Sequence, residues 1–342
     1  MSNDKSYYFL YKLKAGRFAC KIKNMKNELL LLPQVENALE FIRNIDVSGH
    51  QDEMLAGREF YKAFIPMAGP AEDIHQIEER LISSAGHEIK IRIYRPSDSP
   101  SLPVIVYFHG GWFMWGDLDI HDRPLRSLAN LSGAIVISVA YRLAPEYAFP
   151  NGFNDCYFAL NWIAANAGDL GIDAHHIVLA GDSAGGALAA AVAQHSLTEK
   201  GPSIFCQVLI YPVTDSSLET ASWLEFSEGP VLTLEGGKIA WDLYAPHAED
   251  RKNPKAAPLL SKDFSSLPPT LMILAEYDPL RDEAMQYVQK LRLAGVPVKE
   301  SLYKGMIHGF FQMGGIIDEG KAAILEVAEF VKQQLSAEIG KQ

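Results

Sequence analysis

The stretch Ile177-Val178-Leu179-Ala180-Gly181-Asp182-Ser183-Ala184-Gly185-Gly186 decides how this sequence is read. Residues 177–180 form a short apolar run of the kind a buried strand needs, and the Ala-rich run from residue 184 reads as a helix. Between them stands G-x-S-x-G, the pattern of a sharp strand-to-helix turn that presents a serine hydroxyl. Glycine is needed two places before and two places after the serine because a Cβ there would clash across the turn. The helix N-terminus adds backbone N–H groups and a positive dipole end beside the seryl oxygen. A Gly-rich turn with a serine N-cap would share the pentapeptide, but the strand before it and the helix after it favour the nucleophile.

Outward from this turn, strands and helices alternate. Residues 88–95 (EIKIRIYR) alternate Ile89, Ile91 and Ile93 and stop at Pro96, the pattern of a half-buried strand. Short β-branched runs follow at residues 104–108, 134–140, 177–180, 207–211, 270–275 and 298–303. Near-continuous apolar strands are what a parallel sheet covered on both faces requires. Helical stretches fall near 123–132, 153–167, 184–199, 281–295 and 319–338, so the chain is α/β, with a mostly parallel, doubly wound sheet. Two segments lie outside the rhythm. Residues 1–75 look helical, with Leu39, Ile42 and Arg43 at helical spacing. Residues 215–257 carry Trp223, Phe226, Trp241 and Tyr244, punctuated by Gly229-Pro230 and Gly236-Gly237. Long insertions beside strand ends tend to be lids or binding surfaces. Both segments are expected to join as a cap, giving a cap segment at 1–75, a core at 76–214, an inserted cap segment at 215–257 and the rest of the core at 258–342.

A serine nucleophile needs a base, and the base needs an orienting carboxylate. Asp278 directly follows the run 270–275, and His308 follows 298–303, so both sit in loops after strands, as Ser183 does. In an open parallel sheet such loops line one crevice. An Asp before Pro is often a turn former and a His before Gly a loop residue, but their joint placement favours catalysis. His109-Gly110-Gly111-Trp112-Phe113 follows the strand 104–108. Adjacent glycines there let backbone N–H groups point into a cavity, as an oxyanion hole requires.

Composition excludes several other readings. Of 342 residues, 48% are hydrophobic and 21% charged, which suits a soluble globular protein with a large core. No apolar run approaches the ~18 residues of a membrane span. The net charge of −11 argues against nucleic acid as a partner. Three widely spaced cysteines (Cys20, Cys156 and Cys206) match neither a disulfide framework nor a metal site, and they fit a cytoplasmic location. Residues 5–26 hold seven bases and no acid. They read as the solvated face of a helix over the main domain, ahead of a membrane-facing or acid-binding surface.

The GDSAGG turn, the HGG motif, Tyr141-Arg142-Leu143-Ala144-Pro145-Glu146, the DPL run and the terminal HGF together resemble the hormone-sensitive-lipase-type esterases of the α/β-hydrolase superfamily. The likeness covers residues from about 75 to the end. It implies a helical cap on an α/β-hydrolase fold, a Ser183–His308–Asp278 triad in that chain order, and a cofactor-independent carboxylesterase acting on short- to medium-chain acyl esters. It also implies oxyanion donors at Gly111, Trp112 and Ala184, beside Gly110 of the HGG turn, and a homodimer. Amide hydrolysis or deacetylation by the same triad is the alternative. A non-catalytic receptor, similar to the plant gibberellin receptors, would lack the base that His308 supplies. One departure stands out: where the family usually has a third glycine, this chain has Trp112.

Overall fold

A computed structural model describes residues 31–84 and 86–339. The basic stretch 5–26 and Cys20 lie outside the described residues. One eight-stranded sheet organises the chain: β1 (Gln76–Ser84), β2 (His87–Arg95), β3 (Leu102–Phe108), β4 (Ile135–Ala140), β5 (Ile172–Asp182), β6 (Cys206–Ile210), β7 (Thr270–Tyr277) and β8 (Val298–Ile307). Their order is β1-β2-β4-β3-β5-β6-β7-β8. From β4 through to β8 every pairing is parallel, while β1/β2 and β2/β4 are antiparallel. This is the α/β-hydrolase architecture. β1 is the strand that the sequence pattern leaves out. Its run QIEERLISS shows no apolar alternation because an edge strand covers little, and of residues 76–83 only Ile82 is buried.

Among the described residues, the helices of five residues or more are α1 (Pro33–Arg43), α2 (Glu53–Lys62), α3 (Asp122–Ser132), α4 (Asn151–Ala165), α5 (Ala184–Glu199), α6 (Ala221–Glu225), α7 (Leu234–Tyr244), α8 (Arg281–Leu293) and α9 (Asp318–Ile339). They cover the sheet on both faces, and the strands alternate between two cores accordingly. Val104, Val106 and Phe108 of β3 pack on one side with residues of α4, α5 and α8. Ile105 and Tyr107 pack on the other with residues of α1, α3 and α9. Cys156 and Cys206 are buried free thiols, used as small core residues. No helix among the described residues is long and apolar enough to cross a membrane.

The two segments outside the βα rhythm meet the core differently. α2 is tied down by Arg58, whose guanidinium pairs with Glu146 at 2.9 and 2.7 Å and whose Nε donates to the Met114 carbonyl at 3.2 Å. In the inserted segment, Trp223, Phe226, Trp241 and Tyr244 are all buried, so these aromatics serve as core and not as a binding surface. Its residues 230–233 reach the cavity described next.

Candidate active site

Ser183 stands between the end of β5 and the first residue of α5, at φ 54° and ψ −119°. Positive φ in a non-glycine residue costs on the order of 1–3 kcal/mol and marks an over-determined position. The close approach of β3 and the turn enforces it: a Cβ on Gly185 would overlap the Phe108 carbonyl. The Ser183 N–H donates to the Ile210 carbonyl at 2.8 Å, anchoring the turn to β6.

His308 and Asp278 come from loops after β8 and β7, and the structure brings them to the serine. His308 Nε2 lies 2.9 Å from Ser183 Oγ, and His308 Nδ1 lies 2.7 Å from Asp278 Oδ2. Asp278 Oδ1 accepts the Leu280 N–H at 2.9 Å, which fixes the carboxylate's orientation. With Nδ1–H donating to the carboxylate, Nε2 is left as the acceptor that faces the hydroxyl. All three side chains are buried.

The HGG loop differs from the sequence expectation in one respect. Gly110 was expected to offer its N–H to the hole, but that N–H donates to Asp182 Oδ1 at 2.9 Å. The carboxylate beside the nucleophile has taken this donor, so Gly110 is corrected from donor to anchor. The N–H groups of Gly111, Trp112 and Ala184 meet no acceptor among the described residues. Gly111, Trp112 and Phe113 follow one another at φ 119°, 60° and 62°. The first value suits glycine alone, while the other two lie in the left-handed region that an L-residue enters at modest cost. The turn is closed by Trp115 N–H donating to the Gly111 carbonyl at 2.8 Å. Phe113 anchors it, stacking on Tyr244 of the inserted segment with centroids 3.8 Å apart.

The His109 ring is engaged by its own loop and by Tyr141. Its Nδ1 donates to the Gly110 carbonyl at 2.8 Å, its ring stacks on Tyr141, and Tyr141 Oη donates to the His109 carbonyl at 2.6 Å. Burial, helped by His121, pushes its imidazole down to about 4. Asp182 gathers residues that no motif announces: Tyr107, His121 and Gln312 all contact its carboxylate. His121 sits in the polar run 117–123 and Gln312 four places after His308, and neither carries a spacing signal.

Ser183 and His308 open into a cavity of about 510 Å³, walled by Leu39, Phe60 and Tyr61, by Trp112 and Trp115, and by Leu232. Arg43 and Asp46 lie among its lining residues too. No cluster of three or more His, Cys, Asp or Glu side chains among the described residues is placed to hold a metal ion.

A family model described as the alpha/beta hydrolase fold matches residues 105–312. An ethyl acetate hydrolase of Pseudomonas putida is 37% identical over 287 residues, 82% of this chain and 90% of that protein. A carboxylesterase of Mycobacterium tuberculosis is 37% identical over 269 residues, 77% of this chain and 84% of its own. Among solved structures, an esterase of Pyrobaculum calidifontis superposes with a TM-score of 0.82 at 39% identity, covering 89% of this chain and 99% of that one.

Proposed function

Because the chain belongs to the hormone-sensitive-lipase-type family of the α/β-hydrolase fold and is a carboxylic ester hydrolase, we propose that Ser183, His308 and Asp278 are its catalytic triad. The observation that carries this reading is the unbroken chain from Ser183 Oγ to His308 Nε2 at 2.9 Å and from Nδ1 to Asp278 at 2.7 Å. Ser183 attacks the ester carbonyl while His308 takes its proton. Asp278 holds the imidazole in the working tautomer and stabilises its charged form. The unpartnered N–H groups of Gly111, Trp112 and Ala184 receive the oxyanion, where one donor is worth roughly 3 kcal/mol in comparable sites. His308 then protonates the leaving alcohol, an acyl-Ser183 ester remains, and water activated by the same imidazole releases the acid.

The acyl preference we propose is short to medium. The cavity is apolar along much of its wall, and Trp112 and Trp115 stand among its lining residues together with Ser183 and His308. The first cap segment, through α1 and α2, and the inserted segment, through residues 230–233, supply its outer wall, and together they act as the cap. A series of p-nitrophenyl esters from acetate to palmitate, run beside the acetanilide, tests the reading. Rates should peak at or below about C8 and the anilide should be slower by orders of magnitude. A faster anilide would make the chain an amidase, and a peak at palmitate would contradict the proposed preference.

A further inference from the structure

One buried carboxylate is shared by four segments that frame this site. Asp182 Oδ1 accepts Tyr107 Oη–H at 2.8 Å from β3, Gly110 N–H at 2.9 Å from the oxyanion loop, and His121 Nε2–H at 2.9 Å from the loop before α3. Asp182 Oδ2 accepts Gln312 Nε2–H at 2.8 Å from the segment that follows His308. Gln312 Nε2 also lies 2.8 Å from Tyr61 Oη of α2 and from His121 Nε2. Burial by itself would raise the Asp182 carboxyl, but His121, Tyr107 and the Gly110 N–H outweigh it and hold the group down at about 2. Four donors from four segments thus meet one carboxylate, three of them on Oδ1 and one on Oδ2.

We propose that Asp182 is a positioning residue that sets the nucleophile, the oxyanion donors and the base loop in one register. This rests on reading Ser183 as the nucleophile. Asp182 is bonded to Ser183 through the chain, so whatever its carboxylate grips is placed relative to Oγ. Gripping Gly110 N–H fixes the start of the turn whose next two N–H groups face the cavity. Gripping Gln312 fixes a segment four residues from His308, and through Tyr61 it reaches the cap. The same closeness accounts for glycine at residue 110, since a Cβ there would stand 2.5 Å from Asp182 Oδ2. An error of about 1 Å in such a constellation costs roughly 100-fold in rate, and the loss falls on the transition state more than on substrate binding.

The test is Asp182→Ala on the whole chain, with p-nitrophenyl butyrate kinetics, the inhibition constant of a butyl boronic acid, and mass spectrometry after an organophosphate. We expect kcat to fall about 100-fold or more with KM within about threefold, boronate affinity to fall in parallel with kcat/KM, and the adduct still to form on Ser183. A kcat within about threefold of wild type, or a loss carried by KM, would overturn the proposal while leaving the triad standing. An adduct on a residue other than Ser183 would overturn the triad reading itself. Should Asp182→Ala not fold, His121→Leu and His121→Gln decide. The leucine variant should lose about tenfold in kcat, and the glutamine variant, whose Nε2–H can still reach Asp182, should recover most of it. Wild-type kcat in His121→Leu, or no recovery in His121→Gln, would count against the proposal.

Discussion

Replacing Trp112 with glycine separates what its backbone does from what its indole does. The residue sits at φ 60°, so glycine relieves on the order of 1–2 kcal/mol of left-handed strain and returns about 0.5–1 kcal/mol through greater freedom of the unfolded chain. These nearly cancel, and the main-chain N–H survives the substitution. The half-buried Trp112 packs against the sheet core, and the residue lines the cavity beside Ser183 and His308, so removal of the indole is expected to open space there. Each acyl methylene that gains room is worth ~0.8 kcal/mol, about fourfold in kcat/KM. If two methylenes gain room, the decanoate-to-acetate ratio of kcat/KM should rise about 15-fold in Trp112→Gly. Acetate turnover itself should fall by less than about 100-fold, since the donor is looser but present. The assay is p-nitrophenyl ester hydrolysis across acyl lengths, normalised by active-site titration. An unchanged ratio would refute the reasoning by showing that the indole is turned away from the acyl chain. Loss of turnover on every ester in a folded variant would show instead that the indole shapes the loop.

Two further expectations follow from the same geometry. His308→Ala should lose about 10⁴-fold or more in kcat/KM. His109→Ala, judged folded by circular dichroism, should retain far more because its ring serves the Gly110 carbonyl and not the hydroxyl, and equal losses would reassign the base. Glu283 of α8 is buried, with Oε1 accepting Thr214 N–H at 2.7 Å and Asp215 N–H at 3.1 Å and Oε2 accepting Trp223 Nε1–H at 2.8 Å. Burial pushes its carboxyl up to about 8 in spite of these donors. Its proton is therefore held more tightly in the folded than in the unfolded chain, where carboxyls release it near 4.3. Stability should fall as pH rises from about 5 through 8, and Glu283→Gln should flatten that fall in urea melts. An equally steep slope in the variant would show that another group causes it.

Much of this architecture is written locally. Strands β3 to β7 carry the apolar runs that a covered sheet demands, β2 alternates as a half-buried strand, and the G-x-S-x-G turn carries its own steric reason for glycine. The edge strand β1 does not, because burial at an edge asks almost nothing of its sequence. In the site, Ser183, His308 and Asp278 each follow a strand, which is how spacing alone could place them at one end of the sheet. Gly110 shows the limit. Its neighbours suggest a free N–H, and only the fold reveals that Asp182, 72 residues onward, has taken it. Tyr107, His121 and Gln312 converge on that carboxylate from far apart in the chain, with Tyr61 behind Gln312, by packing that leaves no trace in residue spacing. The aromatic residues of the inserted segment suggest a binding surface, yet the structure turns them inward, where Trp223, Trp241 and Tyr244 join the core on one face of the sheet.

The account stands or falls on the nucleophile, and intact-mass spectrometry after treatment with a p-nitrophenyl phosphonate reads it directly. Ser183 lies within hydrogen-bond reach of His308 Nε2 and lines one cavity with Gly111 and Trp112, whose N–H groups meet no acceptor among the described residues. The protein should therefore gain one phosphonyl adduct that maps to the peptide containing Ser183, with activity lost in step, and Ser183→Ala should gain none. An adduct of equal yield in Ser183→Ala, or ester turnover that survives in that variant, would contradict the account.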